Sequence, residues 1–210
     1  MIRDTCVNII AQRLGMRTDL DDAILNEMQL VQEVVLEGTG AFLPWFLEST
    51  YSAQVTVLDS TDITLPTDFL AEIEGKPPAL YVVDGTDQQW TDLHKDDLNV
   101  LLAKYPAAGT PAEYVITVSH LRIFPRCDAV YNIKFAYYAK DALDGDENLW
   151  LKHAPDLMIA ETGAVMAGKY LQNPEMETQF KNDAQNARTR LYTKHEAMQH
   201  TNRRYGMGED

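Results

Sequence analysis

The chain is 210 residues long and 45% apolar, enough to bury a substantial core and close to the upper size of one domain. Its formal net charge of -14 and isoelectric point near 4.7 exclude a surface devoted to neutralising phosphates, because duplex binding depends on clustered Lys and Arg that release counterions. No window approaches the roughly 18 to 20 apolar residues of a membrane span, and no basic stretch followed by an apolar run opens the chain, so neither a spanning helix nor a signal peptide is expected.

Residues 2 to 15 place Ile2, Cys6, Ile9, Ile10, Arg13 and Leu14 at helical spacing, with Gly15 as a stop. Thr18 or Asp19 is expected to cap a second helix through Ile24, Leu25, Met28, Val31, Val34 and Val35, with Asp21 and Asp22 favoured in its first turn. Gly38 and Gly40 bend or interrupt it. The apolar run Ala41-Phe-Leu-Pro-Trp-Phe-Leu47 reads as a new helix begun near Thr39 or Ala41, which puts Pro44 in its first turn.

From Tyr51 to about Tyr138 the period changes. Gln54-Val-Thr-Val57, Ile63-Thr-Leu65, Tyr114-Val-Ile-Thr-Val118, Leu121-Arg-Ile-Phe124 and Tyr131-Asn-Ile-Lys-Phe-Ala-Tyr-Tyr138 alternate or are rich in β-branched and aromatic residues, between Asp, Ser, Pro and Gly turns. They predict an antiparallel sheet, interrupted by one or two helical turns over Lys95 to Tyr105 and closed by Pro106 and Gly109. Tyr137 and Tyr138 must point to opposite faces, so one of them faces the helices or a neighbouring subunit.

Helical pattern returns after the acidic loop Asp141 to Asn148. Pro155 and Asp156 open a helix through Leu157, Ile159, Ala160, Ala164, Val165, Ala167 and Gly168, whose small residues allow close approach of another backbone, within the subunit or across a ring interface. Asn173 caps a last helix with Pro174 first, and Met176, Phe180, Ala184, Ala187, Leu191, His195 and Met198 form one stripe. Residues 200–210 have no periodicity and read as an extended tail that orders on a partner. The predicted fold class is α+β. Helices of 1–50 and 141–199 form a bundle, because neither block alone buries its stripe, and an antiparallel β-rich lobe, 51–140, is inserted between them.

No chemistry emerges from the motifs. Cys6 and Cys127 are far apart and lack any CxxC or Cys/His spacing, which excludes a zinc site or disulfide framework and reads as two buried small apolar groups. Aligning Gly145 with the sixth position of a calcium loop puts Lys140 first and Ala142 third, so the acidic loop fails as a calcium site. His195 and His200 are five apart, which is wrong for one helical face, and His94, His120 and His153 are scattered. Gly38-Thr-Gly40 follows no strand and position 43 is Leu43, so no dinucleotide fingerprint exists. Acids such as Glu72, Glu74 and Asp84 are too common here to mark a glycosidic pair. The aromatics Trp45, Phe46, Trp90, Tyr137, Tyr138 and Trp150 read as core. The expectation is a non-enzymatic protein with no catalytic residue, cofactor or metal.

Several segments in order resemble a family. Leu65-Pro-Thr-Asp-Phe69, His120-Leu-Arg-Ile-Phe-Pro125, Tyr131-Asn-Ile-Lys-Phe-Ala-Tyr-Tyr-Ala139, Leu143, Asn148-Leu-Trp-Leu151 and Ala154-Pro-Asp-Leu157 look like the head-to-tail adaptor (connector) proteins of short-tailed and related tailed bacteriophages, over about residues 20 to 192. Leu149 departs from the pattern by standing between Asn148 and Trp150. The resemblance implies a virion structural protein at the head-tail junction, assembled in the host cytoplasm. It further implies a homo-oligomeric ring, commonly of twelve subunits, docked on the portal protein, with the tail nozzle or tube and sometimes fibres below. The DNA would pass through its channel without specific binding, and an acidic lumen lets duplex slide. No cofactor or catalytic residue comes with the family. A tail-completion or minor tail tube protein is the alternative reading, and a virion-associated hydrolase a further one.

Positive charge gathers at the end of the last helix and in the tail. The expected portal-binding residues are Arg188, Arg190, Lys194, Met198, Arg203, Arg204, Tyr205 and Met207, with Met198 or Tyr205 as anchor. Cutting the chain after Tyr192 is expected to leave a folded subunit that no longer attaches.

Overall fold

The computed structural model describes residues 3–38, 40–55, 61–82, 91–141 and 148–205. Two compact units divide the chain: a helical one of Met1–Leu47 with Lys140–Asp210, and a β-rich one of Glu48–Ala139. The α+β class read from the sequence is the class observed.

In the helical unit, α1 (Arg3–Arg13) buries Cys6, Val7, Ile10 and Ala11, and the chain turns where Gly15 takes a φ of +88°, which an L side chain rarely adopts. The expected cap of the next helix does not form. Asp19 is held instead by the Arg17 guanidinium at 2.8 Å, and a 3₁₀ turn at Thr18–Leu20 leads straight into α2 (Asp21–Leu30). The helix then widens into a π-helical turn over Val31–Leu36, closed by the Glu37 N–H donating to the Gln32 carbonyl at 2.9 Å. Five-residue spacing stacks Gln32 and Glu37 on the same side of the helix.

The helix expected from Ala41 is absent. Gly40 lies at φ +80°, Pro44 has no N–H to give, and only a 3₁₀ turn at Trp45–Leu47 forms, with the Leu47 N–H on the Pro44 carbonyl at 3.0 Å. Beyond the β-rich unit, Asn148 caps α4 (Leu149–His153), its Oδ1 accepting the Leu151 N–H at 2.9 Å. Leu149 therefore stands at the first helical position, which is how the extra residue before Trp150 is accommodated. Then come α5 (Pro155–Lys169) and α6 (Pro174–Tyr205), the second capped as expected by Asn173 Oδ1 on the Met176 N–H at 3.1 Å.

Helix α5 is the centre of this unit and packs against α1, α2, α4 and α6. Its small residues serve that packing: Ala160, Ala164 and Ala167 are buried within the subunit. The tightest place is Gly163, where an added Cβ would stand 2.2 Å from the Phe180 ring of α6. Arg13 of α1 covers the same ring, its guanidinium 4.2 Å from the centroid, while binding Asp183 at 2.5 Å.

The described residues of the β-rich unit form two sheets, where one was expected. Strand β9 (Tyr131–Ala139) is the spine of the first, and its alternate residues Tyr131, Ile133, Phe135 and Tyr137 are all buried. One edge of β9 pairs along its length with β1 (Glu48–Val55), so β3 (Phe69–Glu72) and β4 (Ala79–Val82) share the other edge, and β5 (Thr91–Asp92) adds to β4. The second sheet runs β2 (Asp62–Thr64), β8 (His120–Phe124), β7 (Glu113–Ile116) and β6 (His94–Lys95). The β6–β7 pair is parallel, which corrects the all-antiparallel expectation. Helix α3 (Leu98–Lys104), capped by Asp97, occupies the crossover that a parallel pair requires. Tyr137 belongs to the shared core with Ile63, Leu121, Ile123 and Phe135, and Tyr138 is half-buried on the opposite face.

Candidate interaction surface on the last helix

Helix α6 spans 32 residues, about 48 Å at 1.5 Å per residue, and its two halves differ. Phe180, Ala184, Ala187 and Leu191 are buried at helical spacing. Past Leu191 the side chains described, up to Met198, are exposed except for half-buried His195. Helix continues to Tyr205, so the expected extended tail does not begin at residue 200. Backbone hydrogen bonding propagates once a long helix is nucleated, without an apolar stripe to signal it.

The residues expected to bind a partner are not equally available. Arg188 donates to Glu161 of α5 at 2.7–2.8 Å, and Arg190 faces Asp156 at 3.4 Å. The Lys194 ammonium lies 5.1 Å from the Trp45 ring centroid. Met198 is exposed and carries none of these contacts. Arg203, Arg204 and Tyr205 lie on the last turns of α6, and Met207 falls outside the described residues.

Sequence reasoning missed an aromatic cluster at the base of this exposed half. The Trp45 N–H donates to His195 Nδ1 at 3.1 Å. The Phe42 ring is 5.0 Å from His195 and 5.4 Å from Tyr192, and Phe46 stacks on His153 at 5.0 Å and meets Trp150 edge-on at 5.1 Å. Burial, with Lys152 and Lys194 nearby, pushes His153 below its ordinary value. The available signal is the three aromatics Phe42, Trp45 and Phe46 in the run Ala41 to Leu47, which the sequence pattern assigns to a helix. Phe42 and Tyr192 also line a cavity of about 300 Å³ with Leu36, Leu157 and Leu191.

Behind the cluster lies a buried polar network. Trp150 Nε1 donates to Glu37 Oε1 at 2.7 Å, Gln32 Nε2 donates to the same oxygen at 2.9 Å, and Asn148 Nδ2 donates to Gln32 Oε1 at 3.0 Å. Gln32 Nε2 also reaches the Asp141 carbonyl, and the Asp141 carboxylate accepts the Leu149 N–H at 2.5 Å. Glu37 is 6% exposed, and burial pushes its carboxyl above the ordinary value, against the donated bonds from Trp150 and Gln32. The network ties the π-helical turn to the start of α4. Both side-chain donors to Glu37 meet its Oε1, and its buried Oε2 has no hydrogen-bond partner among the described residues.

Among the described residues no three His, Cys, Asp or Glu side chains gather to hold a metal ion, and no helix is long and apolar enough to cross a membrane. Residues 142–147 of the acidic loop lie outside the described residues. Cys6 and Cys127 are both buried thiols, and burial pushes Cys127 up to about 11.

The buried network thus joins helices of one unit, and the last described side chains of α6 stand exposed. A family model described as SU10 adaptor protein matches residues 5–207. The chain belongs to the SU10 adaptor protein family, a phage head-tail adaptor family. Membership places it among structural phage adaptors that act in tail assembly at the virion head-tail junction, where such adaptors meet portal and tail proteins. No curated protein matches the chain.

Proposed function

We propose that this chain forms a ring, twelvefold in symmetry, that docks on the portal, links it to the tail nozzle or tube and lines the DNA channel. The observation that carries the reading is the family match over residues 5–207, nearly the whole chain. The net charge of -14 supports the channel role, since an acidic wall repels the duplex and lets it slide. The portal-binding surface in this reading is the end of α6, from Lys194 through Met198, Arg203, Arg204 and Tyr205 to Met207. Arg188 and Arg190 stand behind it, where Glu161 and Asp156 match their charge. Twelve identical weak contacts in a closed ring add up to firm attachment.

The geometry also improves the truncation that tests the surface. Cutting after Tyr192 would remove His195, which holds Trp45, and would confuse folding with docking. Ending the chain after Ala197 keeps that contact. The shortened chain should fold normally and fail to decorate portal rings in electron micrographs, whereas the full chain adds a twelvefold layer. Normal decoration by the shortened chain would remove the α6 end from the interface. A sixfold or threefold layer on a tail would instead favour a tail-completion or tube protein.

A further inference from the structure

We infer that copies of this chain join head to tail, the outer face of α2 in one copy seating Leu30 and Val34 in the apolar cavity beside α6 of the next. The inference rests on the ring reading and names the contact that would close the ring. Along α2 and the π-helical turn, Asp22, Asn26, Leu30 and Val34 recur every four residues, and all four are exposed. Leu30 keeps 49% of its surface in water and Val34 68%. The row takes no part in packing the unit: α2 turns Ile24 and Met28 inward, and Val31 follows them. Two aliphatic side chains side by side on an exposed helix face are suited to enter a groove on another chain.

The same unit carries a matching recess. Its cavity of about 300 Å³ is walled by Leu36, Leu157, Leu191 and the rings of Phe42, Trp150 and Tyr192. That volume is at the lower bound of small-molecule sites and suits aliphatic side chains offered by a helix. Phe42 and Tyr192, 37% and 54% exposed, bring apolar surface from the cavity to solvent. The two surfaces also differ in charge. Asp22 and Glu33 flank the projecting pair, with Lys140 3.9 Å from Glu33. At the cavity the charged group is Arg188, which meets Glu161 through Nε and Nη2, so its Nη1 is left to face a second acid. Within one copy the two surfaces cannot meet. Val34 and Leu36 are two apart on one helical turn, so their side chains point to opposite sides, and Leu36 is the one that lines the cavity. Each copy therefore offers a projection to one neighbour and a recess to the other, the kind of contact that builds rings or open chains. The cavity precedes the α6 end assigned to the portal, so both surfaces can be engaged at once.

The test is cross-linking of full chains assembled on portal rings, with Val34→Cys and Thr189→Cys placed in the same chain. Thr189 is exposed at the cavity, and the native Cys6 and Cys127 are buried. A short bismaleimide should give a ladder of covalent multimers longer than dimers from this double variant, and no multimers from either single variant. Adding Leu30→Asp, at an exposed position outside the core, should abolish the ladder. Electron micrographs of the same samples keep the two readings apart. A layer of the double variant on the portal without a ladder overturns this contact and leaves the ring standing. No layer from the unmodified chain overturns the ring reading, and this contact with it. Dimers from Val34→Cys alone would mean a twofold contact and overturn the head-to-tail one, as would a ladder that survives Leu30→Asp.

Discussion

The two units handle buried polarity in opposite ways. Inside the helical unit whole polar side chains are enclosed: Glu27, Gln32, Glu37, Asn148 and Thr162 are the buried polar residues described, and all lie there. Most are paired, as Glu27 is by Lys169 at 2.5 Å and by Tyr170 at 2.9 Å. Among the described residues of the β-rich unit tyrosine rings go inside, and their hydroxyls reach acids at the margin: Tyr114 to Glu72, Tyr131 to Asp128 at 2.5 Å, Tyr137 to Asp68 at 3.0 Å. The first arrangement fixes geometry because every partner must be present at once. The second tolerates the loss of a partner, since water can reach the acid left behind.

The largest effect that would break this contrast is expected at Trp150. The side chain is 1% exposed and its indole donates into the Gln32–Glu37–Asn148 network. Trp150→Ala removes a large core group and leaves Glu37 short of a donor, and should cost about 3–5 kcal/mol or more. Hydrogen exchange should show the loss in α2, α4 and α5 and leave β7, β8 and β9 unchanged. A uniform loss across both units would mean that they unfold as one.

Next in size is the pH response of Glu37. Its folded carboxyl lies above the ordinary value of 4.5, with burial the main cause, so the fold favours the protonated form. A raised acid contributes stability that is present below the unfolded value and is lost as pH rises through the folded one. Glu37→Gln keeps an acceptor oxygen for Trp150 and Gln32 and cannot ionise. Measured by denaturant melts, the wild type should therefore lose ground to Glu37→Gln as pH rises from about 4.5 towards 7. A difference that does not change with pH would show that Glu37 ionises freely, and the network would be less closed than its distances imply.

How much of this was legible in the sequence depends on the range of the interaction. Local signals read true: Asn173 before Pro174 set the start of α6, and the alternation of Tyr131, Ile133, Phe135 and Tyr137 set the inward face of β9. The short strands β3 to β6 escaped because two to four residues carry no period. The π-helical turn escaped because nothing in Val31 to Leu36 marks a five-residue spacing before Trp150, 113 residues from Glu37, supplies the reason for it. The candidate surface suffered likewise. Arg188 and Arg190 looked like free positive charge until Glu161 and Asp156, 27 and 34 residues away, were found beside them. Trp45 and His195, 150 residues apart, could be joined only by the fold.

The smallest effect, and the one that sharpens the contrast from the other side, belongs to Tyr137. Its ring is buried between Phe69 and Phe135 and its hydroxyl donates to half-buried Asp68. Tyr137→Phe keeps the ring stacking and returns the Asp68 carboxylate to water, so at neutral pH the cost should be about 0.5–1.5 kcal/mol, well below that of Trp150→Ala. Alkali gives a second reading of the same bond. Burial, with Asp68 nearby, holds the Tyr137 hydroxyl above its ordinary value of 10.0, so its contribution is present below that value and is lost as pH climbs past it. Denaturant melts of wild type and Tyr137→Phe should therefore converge above about pH 10. A cost near that of Trp150→Ala at neutral pH would mean that Asp68 cannot rehydrate, and the tyrosine margin of the β-rich unit would be as closed as the network in the helical one.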